Sequence, residues 1–154
     1  MRSGWLAAGL VVAGIGMAAA QGTGTAPTPP AVSANPIAQR KDEMKANQRH
    51  LEAIKAVLDS RGDIASIVPR AAEMQSYFVG LPALFPPGTE TGDTKALASV
   101  WSDRAGFERA SATAAEAAGN LRRAAASGDA AATATAFQAM GASCGGCHRN
   151  FRGR

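Results

Sequence analysis

The sequence predicts an all-α protein, an antiparallel four-helix bundle, on the strength of three observations. The 154-residue chain has 36 alanines but only seven valines and five isoleucines, so helix formers far outnumber the β-branched residues that favour a sheet. Apolar residues recur at helical spacing in four segments. Two short connections and one long one join these segments, which makes an antiparallel bundle the simplest arrangement. The length and the 46% apolar content indicate one domain with one core.

Residues 1–20 are predicted to be a secretory signal peptide. Arg2 is followed by an apolar run that ends in Ala18-Ala19-Ala20, the small residues expected at a cleavage site. An uncleaved membrane anchor is the alternative, but the run is short for a bilayer span of about 20 residues. Residues 21–35 have no charge and no periodicity, which indicates a flexible lead-in. We expect residues 36–154 to form the helical domain of a periplasmic protein that leaves the membrane after cleavage.

The first two helices are predicted to begin at Pro36 and after Asp63. The first carries an apolar stripe with a seven-residue repeat, Ile37, Met44, Leu51 and Leu58, and ends near Arg61-Gly62. Asp63 is the expected N-cap of the second helix, where Pro69 is tolerable only in the first turns. The second helix is expected to end near Leu81-Pro82, and its apolar stripe is expected to include Val79.

The last two helices are predicted to follow a long connection. Residues 84–93 contain three prolines or glycines in close succession and are expected to lack regular structure. The third helix is expected to start around Trp101-Ser102-Asp103 and to stop at Ser127-Gly128. Asp129 is the predicted cap of the fourth. The inward stripe of that helix is expected to comprise Ala130, Ala134, Phe137, Met140, Cys144, Cys147 and Phe151.

Composition and charge narrow the functional class. Alanine side chains bury little area each, so a bundle rich in alanine needs something bulky at its centre, the first indication of a cofactor. After residues 1–20 the chain has 15 basic and 12 acidic side chains, and its densest basic segment is only Arg149, Arg152 and Arg154. A nucleic-acid partner is therefore not predicted. No Ser-His-Asp set and no glycine-rich phosphate loop occurs, so an enzyme is not predicted either.

Both cysteines of the chain and one of its two histidines lie in the segment Cys144-Gly145-Gly146-Cys147-His148. This spacing is typical of c-type haem attachment. Thiols one helical turn apart can reach the two vinyl groups on one edge of a porphyrin, and the next residue presents its imidazole to the iron. The glycines are expected to leave room for the ring. The sequence thus predicts one covalent haem c, with thioethers at Cys144 and Cys147 and iron ligation by His148.

Three less favoured interpretations of the same segment stay open. A disulfide between Cys144 and Cys147 would close a very small loop and leave His148 unexplained. A redox-active dithiol needs a preceding strand, which the sequence does not predict. A zinc site could add His50 as a fourth ligand, but adjacent residues on a helix point about 100 degrees apart, a poor start for a tetrahedron.

Four groups of residues resemble the class II c-type cytochromes, the cytochrome c′ family. They are Arg40 with Met44, residues 84–89, Trp101-Ser102-Asp103 with Phe107, and the Cys144-to-Arg152 segment. The resemblance implies a four-helix bundle with its haem near the C-terminus, His148 as the proximal ligand and often a homodimer. It also implies that Arg40 lies near a haem propionate and Arg152 beside the proximal face. An ordinary surface charge is the alternative for each arginine.

Met44 separates two functions. If its thioether ligates the iron as a sixth ligand, the iron is low-spin with a raised reduction potential and suits single-electron transfer with a redox partner protein. If Met44 only packs, as methionines on apolar stripes commonly do, five-coordinate iron can bind nitric oxide or carbon monoxide. Ligation and electron transfer are the leading interpretation because Met44 is the only stripe residue of the first helix with a ligand atom. Gas binding is the alternative.

Overall fold

Four long helices and one short helix make up the fold in the computed structural model, which describes residues 28–154. They are α1 (Pro36–Asp59), α2 (Ile67–Gly80), α3 (Ser99–Ser102), α4 (Arg104–Ala126) and α5 (Ala130–Phe151). Within the described residues the only β-type pairing is an isolated antiparallel bridge between Ala96 and Arg152. The predicted all-α bundle is confirmed. The predicted signal peptide and the first part of the lead-in lie outside the described residues.

Side-chain caps start α1 and α5 where the sequence places them. Asn35 Oδ1 accepts a hydrogen bond from the Ala38 N–H, at 3.0 Å, just before Pro36 at the first helical position. Asp129 Oδ1 accepts from the Ala132 N–H at 2.9 Å and begins α5, as predicted. Asp63 caps a 3₁₀ turn, Ile64–Ser66, that leads directly into α2. Pro69 is the third residue of α2, where it disrupts no earlier turn.

The third predicted helix is interrupted at its start. Trp101 and Ser102 belong to the short α3, and α4 begins only after Asp103. The reason is that Asp103 has a non-helical backbone, with φ −114° and ψ 58°. Its N–H donates to the Ser99 carbonyl at 2.9 Å, while its carboxylate accepts from the Gly106 N–H at 3.0 Å. One residue therefore ends α3 and caps α4.

Two predicted inward positions face solvent instead. Ala130 is exposed because it lies in the first turn of α5, and the buried residue there is Thr133, whose hydroxyl donates to the Asp129 carbonyl at 2.6 Å. Val79, placed on the apolar stripe of α2, is 50% exposed. The predicted stripe of α5 is otherwise buried most fully at Met140 and Phe151.

The core is densest where α4 packs against α2 on one side and α5 on the other, because alanines let these helices approach closely. Ala71, Ala114, Ala118 and Ala125 are at most 2% exposed among fully buried larger side chains such as Met74, Leu121 and Met140. Helix α1 contacts α2 through Ile54 and its neighbours but leaves space between its first half and α5. No helix among residues 28–154 combines the length and hydropathy needed to cross a bilayer.

The described part of the lead-in contacts α2. The Ser76 hydroxyl donates to the Thr28 carbonyl, and Pro29 lies so close to Gly80 that a Cβ on residue 80 would fall 2.8 Å from the Pro29 Cβ. A glycine at position 80 therefore permits this approach. Residues 28–30 cover one side of the α1–α2 contact.

Candidate haem site

A cavity of about 600 Å³ separates the first half of α1 from the last turns of α5. Its size is in the range of cavities that enclose cofactors and drug-sized ligands. The cavity is lined by every predicted site residue: Arg40, Met44, Cys144, Cys147, His148 and Arg152. The fold thus brings together residues that lie more than a hundred positions apart in the chain.

Helix α5 presents the two thiols to the cavity. The helix runs without a break through residues 144–148, which places Cys144 and Cys147 about 4.5 Å apart along its axis. Both thiols are free and half-buried. This spacing along one helical face fits attachment to two neighbouring substituents of a planar ring.

The two glycines of the motif do not line this cavity. A Cβ on Gly145 would lie 3.6 Å from Nη1 of Arg149, and one on Gly146 would lie 3.8 Å from its Nη2. These are ordinary contact distances, and the guanidinium of Arg149 occupies the space beside both residues. The expectation that the glycines make room for the ring is therefore not supported by their position.

Partial burial shifts the pKa of each attachment residue in the direction of its uncharged form. It raises the pKa of the Cys144 thiol, an effect only partly opposed by a hydrogen bond with Ser143. Burial likewise raises the pKa of Cys147, and the neighbouring Cys144 adds to the effect. The pKa of His148 is lowered by burial first and by the positive charge of Arg152 second. A neutral imidazole is the form that ligates iron, so the electrostatics of His148 fit that role.

Arg40 is buried and fully engaged, so the surface-charge alternative is wrong for this residue. Its side chain is 4% exposed. Nη1 donates to the Leu84 carbonyl at 3.3 Å and to Thr89 Oγ1 at 3.1 Å, and Nη2 donates to the Thr89 carbonyl at 2.9 Å and to Thr94 Oγ1 at 2.8 Å. Its guanidinium also lies over the Phe85 ring. Arg40 therefore fastens the proline-rich connection to α1.

Arg152 lies at the other end of the cavity wall. It is the C-cap of α5, where its N–H donates to the His148 carbonyl at 3.2 Å. Its side chain is exposed and lines the cavity together with His148, so the predicted proximity of these two residues is found. Backbone hydrogen bonds from Leu97 to Phe151 and from Gly153 to Lys95 hold this end of α5 against the connection.

Met44 lines the cavity from the α1 wall, across from the α5 wall that carries His148. It is half-buried and has Leu51, two turns later, on the same wall. Three phenylalanines also line the cavity: Phe85 and Phe107 pack edge to face at 4.9 Å between ring centroids, and Phe107 and Phe151 at 5.4 Å. Met44 is thus the thioether that the α1 wall offers to a ring held on α5.

Sequence reasoning missed two polar residues of the cavity wall, Asn47 and Tyr77. They are 5% and 3% exposed. Asn47 follows Met44 by three residues and precedes Leu51 by four, so the helical period places it on the same face and could have identified it. Tyr77 adjoins Phe78 on the buried side of α2. Lys41, Lys45 and Lys95 also line the cavity. Lys41 and Lys45 are four residues apart on α1, so helical spacing could have identified them, whereas Lys95 comes from the connection and carries no periodic signal.

The zinc interpretation is not supported. His50 does not line the cavity; its Nε2 lies 3.0 Å from Oε2 of Glu73 on α2, remote from the motif. No group of three or more His, Cys, Asp or Glu side chains among residues 28–154 has the geometry of a metal site. A haem c fits better, since two free thiols one turn apart, an uncharged imidazole and apolar walls with two arginines surround one cavity.

Comparisons with known proteins agree with this geometry. The family model described as Cytochrome C' matches residues 35–152. A cytochrome c′ of Pararhodospirillum photometricum is 35% identical over 118 residues, covering 75% of this chain and 94% of the relative.

Two solved structures share the fold. One is a cytochrome c′ with ligand-controlled dimer dissociation, with a TM-score of 0.72 and 27% identity over 77% of this chain and 95% of its own. The other is the nitric oxide complex of a mutant cytochrome c prime from Alcaligenes xylosoxidans, with a TM-score of 0.71 and 28% identity over 79% of this chain and 99% of its own.

Proposed function

Because the chain belongs to the cytochrome c′ family and carries the covalent haem c of that family, we propose that it transfers single electrons between redox partner proteins. The observation that carries this proposal is the convergence of Met44 and His148 on opposite walls of one cavity. When bound, the haem supplies an iron that alternates between two oxidation states one electron apart. The residues of the protein would anchor the haem, supply ligands to its iron and set the charge around it.

Cys144, Cys147 and His148 would hold the group on α5. The two thiols form the thioether anchors, and His148 supplies the proximal nitrogen. Partial burial and the positive charge of Arg152 both lower the pKa of His148, which favours the neutral imidazole that iron ligation requires.

The two arginines would contribute differently to binding the propionates. Both terminal nitrogens of Arg40 already donate to the connection, which leaves only its Nε–H without an assigned partner. Arg40 therefore acts mainly as a fixed positive charge. Arg152 is exposed, and its guanidinium makes no salt bridge within residues 28–154, so it is the freer ion-pair donor for a propionate.

Met44 would complete the ligand set with its sulfur. Absorption and electron paramagnetic resonance spectra of the purified holoprotein test this role. Low-spin iron with a sulfur-to-iron charge-transfer band supports ligation and electron transfer. Met44→Leu keeps the volume and removes the sulfur, so it is expected to convert the iron to a high-spin state that binds carbon monoxide. Leu51→Ala enlarges the same wall without touching a ligand and is expected to leave the spin state unchanged.

Gas binding is the second candidate function. The structurally similar protein from Alcaligenes xylosoxidans was solved as a nitric oxide complex, which favours it. In that case Met44 only packs and the iron of the unaltered protein is high-spin and five-coordinate. If the unaltered protein binds carbon monoxide rapidly and the spectrum of Met44→Leu is identical to its own, the function is gas binding and not electron transfer.

We further propose export to the periplasm and self-association. Cleavage after Ala20 predicts a mature protein that begins at Gln21, which mass spectrometry of the exported protein measures. A homodimer is suggested by the similar cytochrome c′ whose dimer dissociates under ligand control. Analytical ultracentrifugation of the holoprotein with and without carbon monoxide tests it. No enzymatic reaction is assigned to the site.

A further inference from the structure

A second, smaller pocket adjoins the haem cavity. It measures about 270 Å³ and lies between α1, α2 and the described lead-in, with Thr28 and Pro30 on its outer side. Asn47 and Tyr77 line both spaces. These two side chains therefore form the wall between the haem cavity and a pocket that also contains His50 and Glu73.

Three polar atoms of residues that line this small pocket are buried without a hydrogen-bond partner among residues 28–154: Asn47 Oδ1, His50 Nδ1 and Tyr77 OH. The amide nitrogen of Asn47 already donates to the Glu43 carbonyl at 2.8 Å, which leaves Oδ1 as an acceptor. Buried polar atoms are rarely left unpaired because their desolvation is unfavourable. Three of them around one pocket indicate a small polar occupant.

The chemistry of the three atoms matches water. His50 Nε2 lies 3.0 Å from Oε2 of Glu73, so in the neutral ring Nε2 carries the proton and Nδ1 is an acceptor. Asn47 Oδ1 is a second acceptor, and the Tyr77 hydroxyl can donate. One water molecule has two O–H donors for the two acceptors and a lone pair for the Tyr77 hydroxyl, so its hydrogen-bonding capacity matches the three atoms.

We propose that this pocket binds an ordered water at Asn47, His50 and Tyr77, and that the water links His50 to the haem cavity as a proton site coupled to the haem's oxidation state. The inference rests on the proposed electron-transfer function. When a one-electron donor reduces the haem, the cavity gains one negative charge. One proton from solvent then binds His50 Nδ1 and offsets that charge, and its Nδ1–H donates to the same water.

The charges around His50 favour such uptake. Glu43 of α1 and Glu73 of α2 line the pocket, Tyr77 lines it from α2, and Thr28 and Pro30 line it from the described part of the lead-in. No cationic side chain lines this pocket among the described residues. Glu73 is 66% exposed, and its carboxylate places a negative charge beside the His50 ring. Histidine is in general the side chain that changes charge between pH 5 and 8, which sets the pH range in which the coupling is tested.

Potentiometric titration of the holoprotein between pH 5 and 8 tests the coupling. The reduction potential is expected to fall as pH rises, because fewer protons are available to accompany the electron. His50→Gln is expected to reduce the slope to less than half. Glu52→Gln, an amide substitution at an exposed position of the same helix, is expected to keep the full slope. An equal slope in His50→Gln and the unaltered protein overturns the inference, as does a potential independent of pH.

Two further measurements keep the inference testable if His50→Gln does not fold. Glu73→Gln removes the carboxylate partner of His50 and is expected to shift the bend of the potential–pH curve to lower pH. A high-resolution crystal structure of the holoprotein is expected to show a water within hydrogen-bond distance of all three polar atoms, and a dry pocket overturns the inference. A chain without covalent haem would refute the proposed function itself, and this is a separate result.

Discussion

The guanidinium of Arg40 lies over the ring of Phe85, with 4.3 Å between Cζ and the ring centroid. Phe85 in turn packs edge to face on Phe107, and Phe107 on Phe151 at the end of α5. A cation on α1 is thereby joined through three aromatic rings to the helix that carries both cysteines. This contact makes the arginine part of the packing as well as a charge at the cavity.

Arg40→Lys is expected to destabilise the protein by about 2 kcal/mol or more, because lysine cannot reproduce the forked donation to the connection or the planar stacking. Urea denaturation of the holoprotein measures the free energy of unfolding. Arg49→Lys, at an exposed position of the same helix, is expected to change it by less than about 0.5 kcal/mol. Equal effects of the two substitutions would contradict the structural role of Arg40.

Two glycines in helices should respond to alanine in opposite directions. A Cβ on Gly106 would lie 2.0 Å from Oδ2 of Asp103, so Gly106→Ala must break the cap of α4 and is expected to destabilise by about 1 kcal/mol. A Cβ on Gly141 meets nothing within 4 Å, so Gly141→Ala is expected to stabilise by about 0.5–1 kcal/mol. Thermal denaturation of both variants measures the difference, and a loss of stability in Gly141→Ala would contradict it.

Tyr77 should resist ionisation until the protein unfolds. Burial is the main cause that raises its pKa, followed by the negative charge of Glu43. The pKa of Tyr77 in the folded protein lies above the unfolded value of about 10. The contribution of the buried, neutral Tyr77 to the free energy of unfolding is therefore complete below pH 10 and is lost as pH rises further. Tyr77 is the only tyrosine of the chain. The absorbance difference between the unaltered protein and Tyr77→Phe therefore measures the ionisation of this one hydroxyl.

We expect no tyrosinate signal before the alkaline unfolding transition, and we expect the free energy of unfolding of Tyr77→Phe to fall less steeply above pH 10. Circular dichroism recorded on the same samples locates the unfolding transition. Normal titration near pH 10 in a folded protein would show that the hydroxyl is not buried as described.

Removal of both thiols should prevent covalent attachment of the haem and destabilise the fold. The variant with Cys144→Ala and Cys147→Ala is expected to show the polypeptide mass alone under denaturing mass spectrometry. It should also melt broadly by circular dichroism, since alanine-rich helices bury little area without the ring at their centre. Ser143→Ala, beside the same motif, is expected to retain haem. A sharp, native-like melt of the haem-free variant would contradict the stabilising role of the cofactor.

The sequence predicts this fold well where the deciding forces are local. Asp63 and Asp129 cap through their own side chains, and Pro69 falls in a first turn, so each signal lies within a few residues of its effect. The haem motif is local in the same sense. The break between α3 and α4 at Asp103 is harder to predict from the sequence, because a single aspartate both ends one helix and caps the next.

Features that depend on distant contacts are the ones the sequence does not reveal. Burial of Arg40 requires acceptors at Thr89 and Thr94, some fifty residues away. Asn47 and Tyr77 meet only because α1 and α2 fold back on each other. The position of Arg149 beside Gly145 and Gly146 depends on a rotamer of the same helix, which residue spacing does not specify.

The backbone bonds that join Lys95 and Leu97 to the end of α5 bear on the order of assembly. Arg40 also donates hydrogen bonds to Thr89 and Thr94. The segment from Thr89 to Leu97, which lines one side of the cavity, is therefore held at both ends. A flat ring that enters past this segment has to do so before these bonds close. Along that route, thioether formation precedes the last step of folding.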